Sequence, residues 1–295
     1  MKRISVFVLG MCLVGCRLLV DVDTPQCTKD VHCTGLFGPD YMCGDHGVCV
    51  EKPPPDPEEA RFACIGQPVE VPEKPKSGEV HLSVQIVDFL SLKPAEGVTL
   101  NACSIKDSMC ATPIVEGATL DKDGYASTDL PFGFDGYFEA TGGDYVPALF
   151  TINRPVYTDL ELAGPSLLTA TSLSALAATN QDTIDATKGV VVVEVVDCND
   201  EAAEGVVIEI DGLPDLSRFY IDGSLPNLNL SSTKISTGIS AGGLPRAVGG
   251  FTNVPAGFQT VHTTLEATGE DYGRATIIVR PDTMTFVRVY PGVVD

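Results

Sequence analysis

Residues 79–88 read Glu79-Val80-His81-Leu82-Ser83-Val84-Gln85-Ile86-Val87-Asp88. Val80, Leu82, Val84 and Ile86 occupy every second position, with His81, Ser83 and Gln85 between them. A side-chain period of two places the aliphatic residues on one face of a β-strand and the polar ones on the other, so this stretch predicts a strand with one face in a core. Further strands are expected through Val98, Leu100 and Ala102, and through Tyr125, Ser127 and Asp129. Gly136 to Ala140 and Ala148 to Ile152 follow. Turn-forming runs, Asp121-Lys122-Asp123-Gly124 and Thr141-Gly142-Gly143-Asp144, separate them. Short strands at this spacing close into a sandwich or barrel.

The opening phrase then recurs. Val84-Gln85-Ile86-Val87-Asp88 is answered by Val193-Glu194-Val195-Val196-Asp197, and Gly97-Val98-Thr99-Leu100 by Gly205-Val206-Val207-Ile208. Leu130-Pro131-Phe132-Gly133-Phe134 is answered by Val254-Pro255-Ala256-Gly257-Phe258. An internal repeat of this kind implies two copies of one supersecondary unit. The sandwiches are expected at residues 79–163 and 188–295, with a helical connector over 164–187. Within that connector Leu168, Ser172, Leu173 and Leu176 fall at helical spacing, and Ser166 stands as N-cap after Pro165. The second copy carries an insertion at about residues 212–247, rich in Ser, Gly, Leu and Asn. It reads as a long loop of the kind that is functional or mobile.

Composition agrees with an all-β chain. The 295 residues contain no Trp, 12 Phe and 8 Tyr, with abundant Val, Thr, Gly and Pro, the residues of strands and turns. The length suffices for two domains. The formal charge is −21, and a surface this acidic repels phosphate backbones, which excludes nucleic acid as a partner.

The first residues carry their own signal. Lys2 and Arg3 precede an apolar run from Ile4 to Val14, the pattern of a secretory signal peptide and shorter than the about 20 residues needed to span a bilayer. The run ends in Leu13-Val14-Gly15-Cys16, which resembles the lipobox of bacterial lipoproteins. That resemblance implies removal of residues 1–15, acylation of Cys16 and a tether over residues 16–26, and several acyl chains make a durable membrane anchor. Arg17 follows the cysteine, and in the best-studied sorting system the absence of an aspartate there favours the outer membrane. The expected location is therefore the cell envelope, with the protein lipid-anchored and facing the periplasm or the surface.

Of ten cysteines, Cys12 leaves with the signal and Cys16 is taken by lipid, so eight remain for disulfides in an oxidising compartment. Zinc is the rival reading, but there is no C-x2-C pair, and His32, His46, His81 and His262 are scattered. Cys27, Cys33, Cys43 and Cys49 form a Cys-rich module at residues 27–50 that is too small for an apolar core and folds only if cross-linked. Three connectivities are open. Alternating links, Cys27–Cys43 and Cys33–Cys49, make a compact knot that resembles growth-factor-like modules. Such a module serves as a stiff spacer or as a small binding knob. Residues 51–78 hold seven prolines, Pro53, Pro54, Pro55, Pro57, Pro68, Pro72 and Pro75, and form an extended linker. Cys103 and Cys110 bridge a loop on the first sandwich; by elimination Cys64 in the linker pairs with Cys198. A reactive thiol pair at Cys103 and Cys110 would need a pKa-lowering basic setting, and only Lys106 lies between them.

The run Ala118-Thr119-Leu120-Asp121-Lys122-Asp123-Gly124-Tyr125, then Leu130-Pro131-Phe132-Gly133 and Gly136-Tyr137, resembles the carboxypeptidase regulatory-like, or transthyretin-like, domain. The second copy keeps the corner in Val254-Pro255-Ala256-Gly257 and a glycine turn at Gly249-Gly250 but lacks the acidic turn. The resemblance implies a seven-strand prealbumin-like sandwich used for support or binding, and its motifs mark the fold, so no functional residues carry over. The expected fold class is thus all-β: two immunoglobulin- or prealbumin-like β-sandwiches behind a disulfide-rich module, with one short helix between them.

Asp121 and Asp123 before Gly124 look like the opening of a calcium loop, though the chain enters a strand pattern at Tyr125 and a plain hairpin turn explains the run. No nucleophile elbow, zinc-protease helix or phosphate loop occurs in the sequence. No cofactor is expected. The expected role is non-catalytic: binding a glycan or protein through sandwich-edge loops, above all residues 212–247. A passive scaffold or spacer in an envelope complex is the alternative. A hydrolase with a scattered site is a further one.

Overall fold

A computed structural model describes residues 25, 27–38, 40–52, 61–67, 71–89, 91–237 and 244–292. Cys16 and the signal peptide lie outside the described residues, as does most of the tether. The chain divides into two compact units, Met1–Asp56 and Pro57–Asp295.

The first unit is small. Helix α1 (Asp30–Phe37) is followed by an antiparallel hairpin of β1 (Tyr41–Cys43) and β2 (Cys49–Glu51). Disulfides join Cys27 to Cys43 and Cys33 to Cys49, each across 16 residues of sequence. Cys27 and Cys33 are buried, whereas Val31, Leu36 and Phe37 are exposed. Among the described residues of this unit the buried side chains are cysteines, and cross-links over loops of this length contribute about 3 kcal/mol each in a chain-entropy account. The hairpin turn requires Gly47, with φ +68° and a Cβ position that would fall 2.5 Å from the Pro25 side chain.

In the second unit the first copy contributes seven strands: β3 (Glu79–Asp88), β4 (Val98–Ser104), β5 (Val115–Thr119), β6 (Tyr125–Pro131), β7 (Gly136–Gly142), β8 (Ala148–Ile152) and β9 (Leu160–Leu167). Helix α2 (Ala170–Thr179) connects to the second copy, which begins with β10 (Gly189–Val195) and β11 (Val206–Ile210). The short strands β12 (Arg218–Asp222), β13 (Leu225–Asn227) and β14 (Ile235–Ser236) follow, then β15 (Arg246–Val254), β16 (Gly257–Leu265), β17 (Asp271–Val279) and β18 (Met284–Val289).

The internal repeat survives as topology. In the first copy β3 pairs antiparallel with β6 and parallel with β9; in the second, β10 pairs antiparallel with β15 and parallel with β18. Likewise β7 lies between β4 and β8, and β16 lies between β11 and β17. The copies are not independent, however. Strand β18 also pairs parallel with β8, Phe286 opposite Phe150, which fuses one sheet from each copy into a ten-stranded sheet ordered β13-β12-β15-β10-β18-β8-β7-β4-β5, with β14 beside β15. The three-stranded sheet β6-β3-β9 covers one stretch of this large sheet, and β11-β16-β17 covers another. Their cores form on opposite faces: Val191, Val193 and Val195 of β10 belong to the second core, whereas Val190 packs into the first.

Two expectations need correction. The connector helix does not start at Ser166: β9 continues through Leu167, with Ser166 opposite Val87 and Leu167 opposite Asp88. Leu167 and Leu168 are drawn into the core, and α2 begins later, with Thr169 Oγ1 accepting the Ser172 N–H at 3.2 Å. A side-chain oxygen satisfying an otherwise unpaired helix N–H is the usual N-cap arrangement, and Thr169 fills the role assigned to Ser166. The second correction concerns residues 212–247, which are not loop throughout. Arg218-Phe219-Tyr220-Ile221-Asp222 is rich in β-favouring side chains and adds β12 to the edge of the large sheet, pairing with β15.

Candidate functional site

Because the large sheet runs past the edge of β9, the outer face of the second copy's sheet is left facing the flank of the first sandwich. That face is apolar. Val190 and Val192 of β10, Val248 of β15, Phe219 and Ile221 of β12 and Phe286 of β18 form the floor of a crevice. Leu162 of β9 and Leu173, Leu176 and Ala177 of α2 make its wall, and Phe138, Phe150 and Val84 close its back inside the first core. The cavity measures about 160 Å³, a size at which apolar-lined cavities of roughly 150 Å³ admit a benzene-sized molecule.

Local sequence explains how the floor is built. Gly250 sits across from Val192 in the ladder, and a Cβ there would lie 2.2 Å from the Val191 carbonyl oxygen and 2.8 Å from the Phe219 ring. Glycine therefore allows β12 to bring its aromatic side chain down onto β15. The ring of Phe286 stacks on Phe150 with centroids 5.5 Å apart, across the strand pair that joins the copies.

One end of the crevice is charged. Glu194 lies directly opposite Arg288 in the β10–β18 ladder, and its Oε2 accepts from Arg288 Nε at 2.9 Å. Arg246 of β15 donates through a terminal guanidinium nitrogen to Glu194 Oε1 at 3.1 Å. The three side chains are 17%, 18% and 12% exposed for Glu194, Arg288 and Arg246, so water screens them only in part. Burial alone pushes the Glu194 carboxyl up; the two guanidiniums and their hydrogen bonds outweigh it and hold the carboxyl below its ordinary value. Burial likewise pulls Arg288 down, and Glu194 more than restores it.

The other end carries an amide. Asn180, the C-terminal cap of α2, is buried and donates Nδ2–H to Ser217 Oγ at 3.1 Å, while its Oδ1 has no hydrogen-bond partner. A buried acceptor left unmatched is costly, so a donor from water or a ligand fits there. Taken together, the crevice offers an apolar trough with a few convergent polar groups, the usual form of a small-molecule site.

The cysteines and the acidic turn singled out from sequence lie elsewhere. Cys103 is joined to Cys110, and Cys64 to Cys198 across 134 residues of sequence. The second link is reinforced by Arg61, whose Nε donates to buried Asp197 at 2.7 Å, and by Phe62 packed edge-on against Tyr272. Linker residues 61–67 are thereby clamped to the second sandwich. Asp121 Oδ1 accepts the N–H groups of Asp123 and Tyr125, each at 2.9 Å, and the Tyr125 bond is the main reason its carboxyl lies below the ordinary value. Asp123 pairs with Lys122 at 2.8 Å, so the acidic run is arranged as a hairpin turn. None of these residues lines the crevice.

Sequence reasoning reached part of the crevice, since Phe219, Ile221, Pro226 and Arg246 fall within residues 212–247 and Leu173 and Leu176 on the expected helix, but it passed over the residues of β10 and β18. The available signal was Val190-Val191-Val192-Val193, apolar at four consecutive positions where its counterpart β3 alternates. A continuous apolar run marks a strand buried on both faces.

No protein-family model matches the chain, and no curated protein matches it in sequence. Among solved structures the chain is similar to the Bacillus anthracis TIE protein, at 12% identity over 71% of this chain and 33% of that one, with a TM-score of 0.23. It is also similar to the shaft pilin SpaA from Lactobacillus rhamnosus GG, at 10% identity over 72% and 97% of the two chains, with a TM-score of 0.22. A third is CBMbc, of family CBM26, from Eubacterium rectale Amy13K in complex with maltoheptaose, at 10% identity over 72% and 93% and a TM-score of 0.23. The chain spans about a third of the TIE protein's length. Among the described residues no helix is long and apolar enough to cross a membrane.

Proposed function

We propose that this chain is a lipid-anchored envelope protein with a non-catalytic binding role, held at the outer membrane through Cys16, and that its ligand sits in the crevice where the two sandwiches join. The observation that carries this reading is the apolar outer face of the second copy's sheet. On this sheet face Val192 and Phe286 are only partly buried, beside buried Val190 and Val248, and a ligand of matching surface would remove the remaining hydrocarbon from water. The rest of the chain suits such a role. A disulfide knot and a proline-containing linker lie in sequence between the tether and the binding unit. A glycan or protein partner at the 212–247 edge, where β12–β14 lie, belongs to the same class of role.

Two measurements test the reading. Metabolic labelling with a palmitate analogue should mark the wild type and not Cys16→Ala; equal labelling removes the anchor. Saturable binding of the apolar fluorophore N-phenyl-1-naphthylamine should fall at least tenfold in Val192→Trp, which fills the crevice, while the thermal unfolding transition stays cooperative. Binding that is unchanged in that variant moves the site elsewhere.

A further inference from the structure

The two polar ends of the crevice differ in what is left to a ligand. At the charged end both Glu194 oxygens are engaged, Oε1 by Arg246 at 3.1 Å and Oε2 by Arg288 Nε at 2.9 Å. At the far end one acceptor is not. Helix α2 supplies Leu173, Leu176, Ala177 and the Asn180 cap to the lining, the i, i+3, i+4 and i+7 positions of a single helical stripe. That stripe is aliphatic until it ends in an amide. Asn180 is 4% exposed; its Nδ2–H is tied to Ser217 Oγ, while Oδ1 has no hydrogen-bond partner among the described residues. A polar neighbour on the lining, Thr252, donates its hydroxyl proton to Asp182 and leaves Oδ1 unmatched. An acceptor held this far from water is costly until a donor reaches it.

We infer that the crevice binds a small neutral aromatic alcohol of about phenol size, its O–H donated to Asn180 Oδ1 and its ring among Phe150, Phe219 and Phe286. This inference rests on the binding reading proposed above. The size follows from the cavity: about 160 Å³ is close to the roughly 150 Å³ that accommodates a benzene ring. The ring follows from the lining, to which Phe89, Phe138, Phe150, Phe219 and Phe286 all contribute; phenylalanine faces and edges pack favourably against a further ring. The hydroxyl follows from Asn180. It is neutral and it donates, whereas a carboxylate can only accept and an ammonium would lose its hydration in an apolar trough. The χ2 torsion of an asparagine is broad, so the amide plane can turn its oxygen toward the ligand hydroxyl.

The test uses the full chain carrying Cys16→Ala, which cannot be acylated, titrated by calorimetry with phenol and with toluene, which has nearly the same shape and no polar group. In a purely apolar crevice toluene binds the more tightly, because phenol gives up its hydrogen bonds to water and regains none. Phenol should instead bind saturably and at least as tightly as toluene. In Asn180→Leu toluene should bind as before, which reports that the crevice is still formed, while phenol weakens about tenfold, the loss of one buried hydrogen bond. Asn180→Ala serves the same comparison if the leucine variant does not fold, and the ranking of the two probes on the unsubstituted crevice stands without either. Phenol binding more weakly than toluene in the parent, or phenol binding unchanged in a folded Asn180 variant, overturns the hydroxyl assignment and leaves the crevice as an apolar site. Failure of both probes to bind saturably overturns the binding reading as well.

Discussion

The outer faces of β3 and β10 are the same positions of one repeated unit in two environments. Aligned on the shared phrase, His81, Ser83 and Gln85 of the first copy correspond to Val190, Val192 and Glu194 of the second. On β3 these side chains meet water: His81 pairs with Asp129 at 2.9 Å on an exposed surface, and Ser83 with Ser127 at 3.1 Å. On β10 the same positions line the crevice. Their inward neighbours do not differ in kind, since Val84 and Val193 are both buried in cores. The difference arises at the strand that follows each: β9 ends its sheet, whereas β18 goes on to pair with β8. One extra strand pairing converts a half-solvated face into an interior one, and the exchange of polar for apolar side chains falls on the outward positions, His81 to Val190 and Ser83 to Val192.

The largest expected effect concerns how each copy is cross-linked. The Cys64–Cys198 link closes 134 residues and belongs to the second copy; Cys103–Cys110 closes 7 and belongs to the first. Chain entropy alone gives about 5 kcal/mol for the long loop and about 2 kcal/mol for the short one. Replacing Cys64 and Cys198 together by Ser should therefore lower the urea-derived stability of the unit by roughly twice what replacing Cys103 and Cys110 does. Equal losses would mean that native-state contacts, such as Arg61 with Asp197, set the cost instead of the unfolded chain.

A direct exchange of outer faces comes next. Val190→His with Val192→Ser gives β10 the residues of β3, and should cost about 4 kcal/mol, because two apolar side chains leave a crevice and polar groups enter it without partners. Denaturant unfolding measures the loss. A cost below about 1 kcal/mol, the range of ordinary surface substitutions, would show that the β10 face is solvated after all.

What could be read in advance divides along the same line. Strand positions and the all-β class were legible because alternation and turn residues are local properties, and the repeated phrase led to matched strands. The pairing of β18 with β8 was not legible: it depends on which edges meet, and parallel partners distant in sequence leave no periodic trace. The four-valine run was its indirect mark. Ser166 misled because an N-cap and an edge-strand residue beside a proline look alike until the ladder to Val87 is seen. Residues 212–247 misled because Gly, Ser and Asn recur on both sides of β12 and hide its five residues.

Glu194 sharpens the comparison further, since its counterpart Gln85 is uncharged. Glu194→Gln should cost about 3 kcal/mol, because Arg288 and Arg246 are left facing one another with little water. The acid dependence has a definite sign. The Glu194 carboxyl lies below its ordinary value in the folded protein, so its stabilisation is complete above about pH 4.3, the unfolded value. It is lost as the pH falls through the lowered folded value. Unfolding curves measured from pH 6 downward should show a steeper acid loss in the wild type than in Glu194→Gln; parallel losses would remove the triad as the source.

The smallest effect is expected from the reverse exchange. Ser83→Val gives β3 the residue that Val192 supplies to β10, at a position where the hydroxyl bonds only to Ser127 on the outer surface. Valine's preference for a pleated strand offsets the lost hydroxyl pair, and the net change should stay within about 0.5 kcal/mol. The two valine substitutions, one introduced and one removed, thus differ several-fold in cost although they sit at equivalent places in one repeat. That asymmetry follows from the β8–β18 junction, and it should vanish if the junction is opened. Phe286→Pro would do so: on either side of it β18 bonds to the first copy, through the Met284 N–H to the Pro147 carbonyl and the Asn153 N–H to the Arg288 carbonyl, and proline removes the N–H of a central strand's ladder and is tolerated only at edges. In that background Val192→Ser should cost no more than Ser83→Val changes in the parent, and a cost that remains large would place the burial of β10 in its own sandwich instead of the junction.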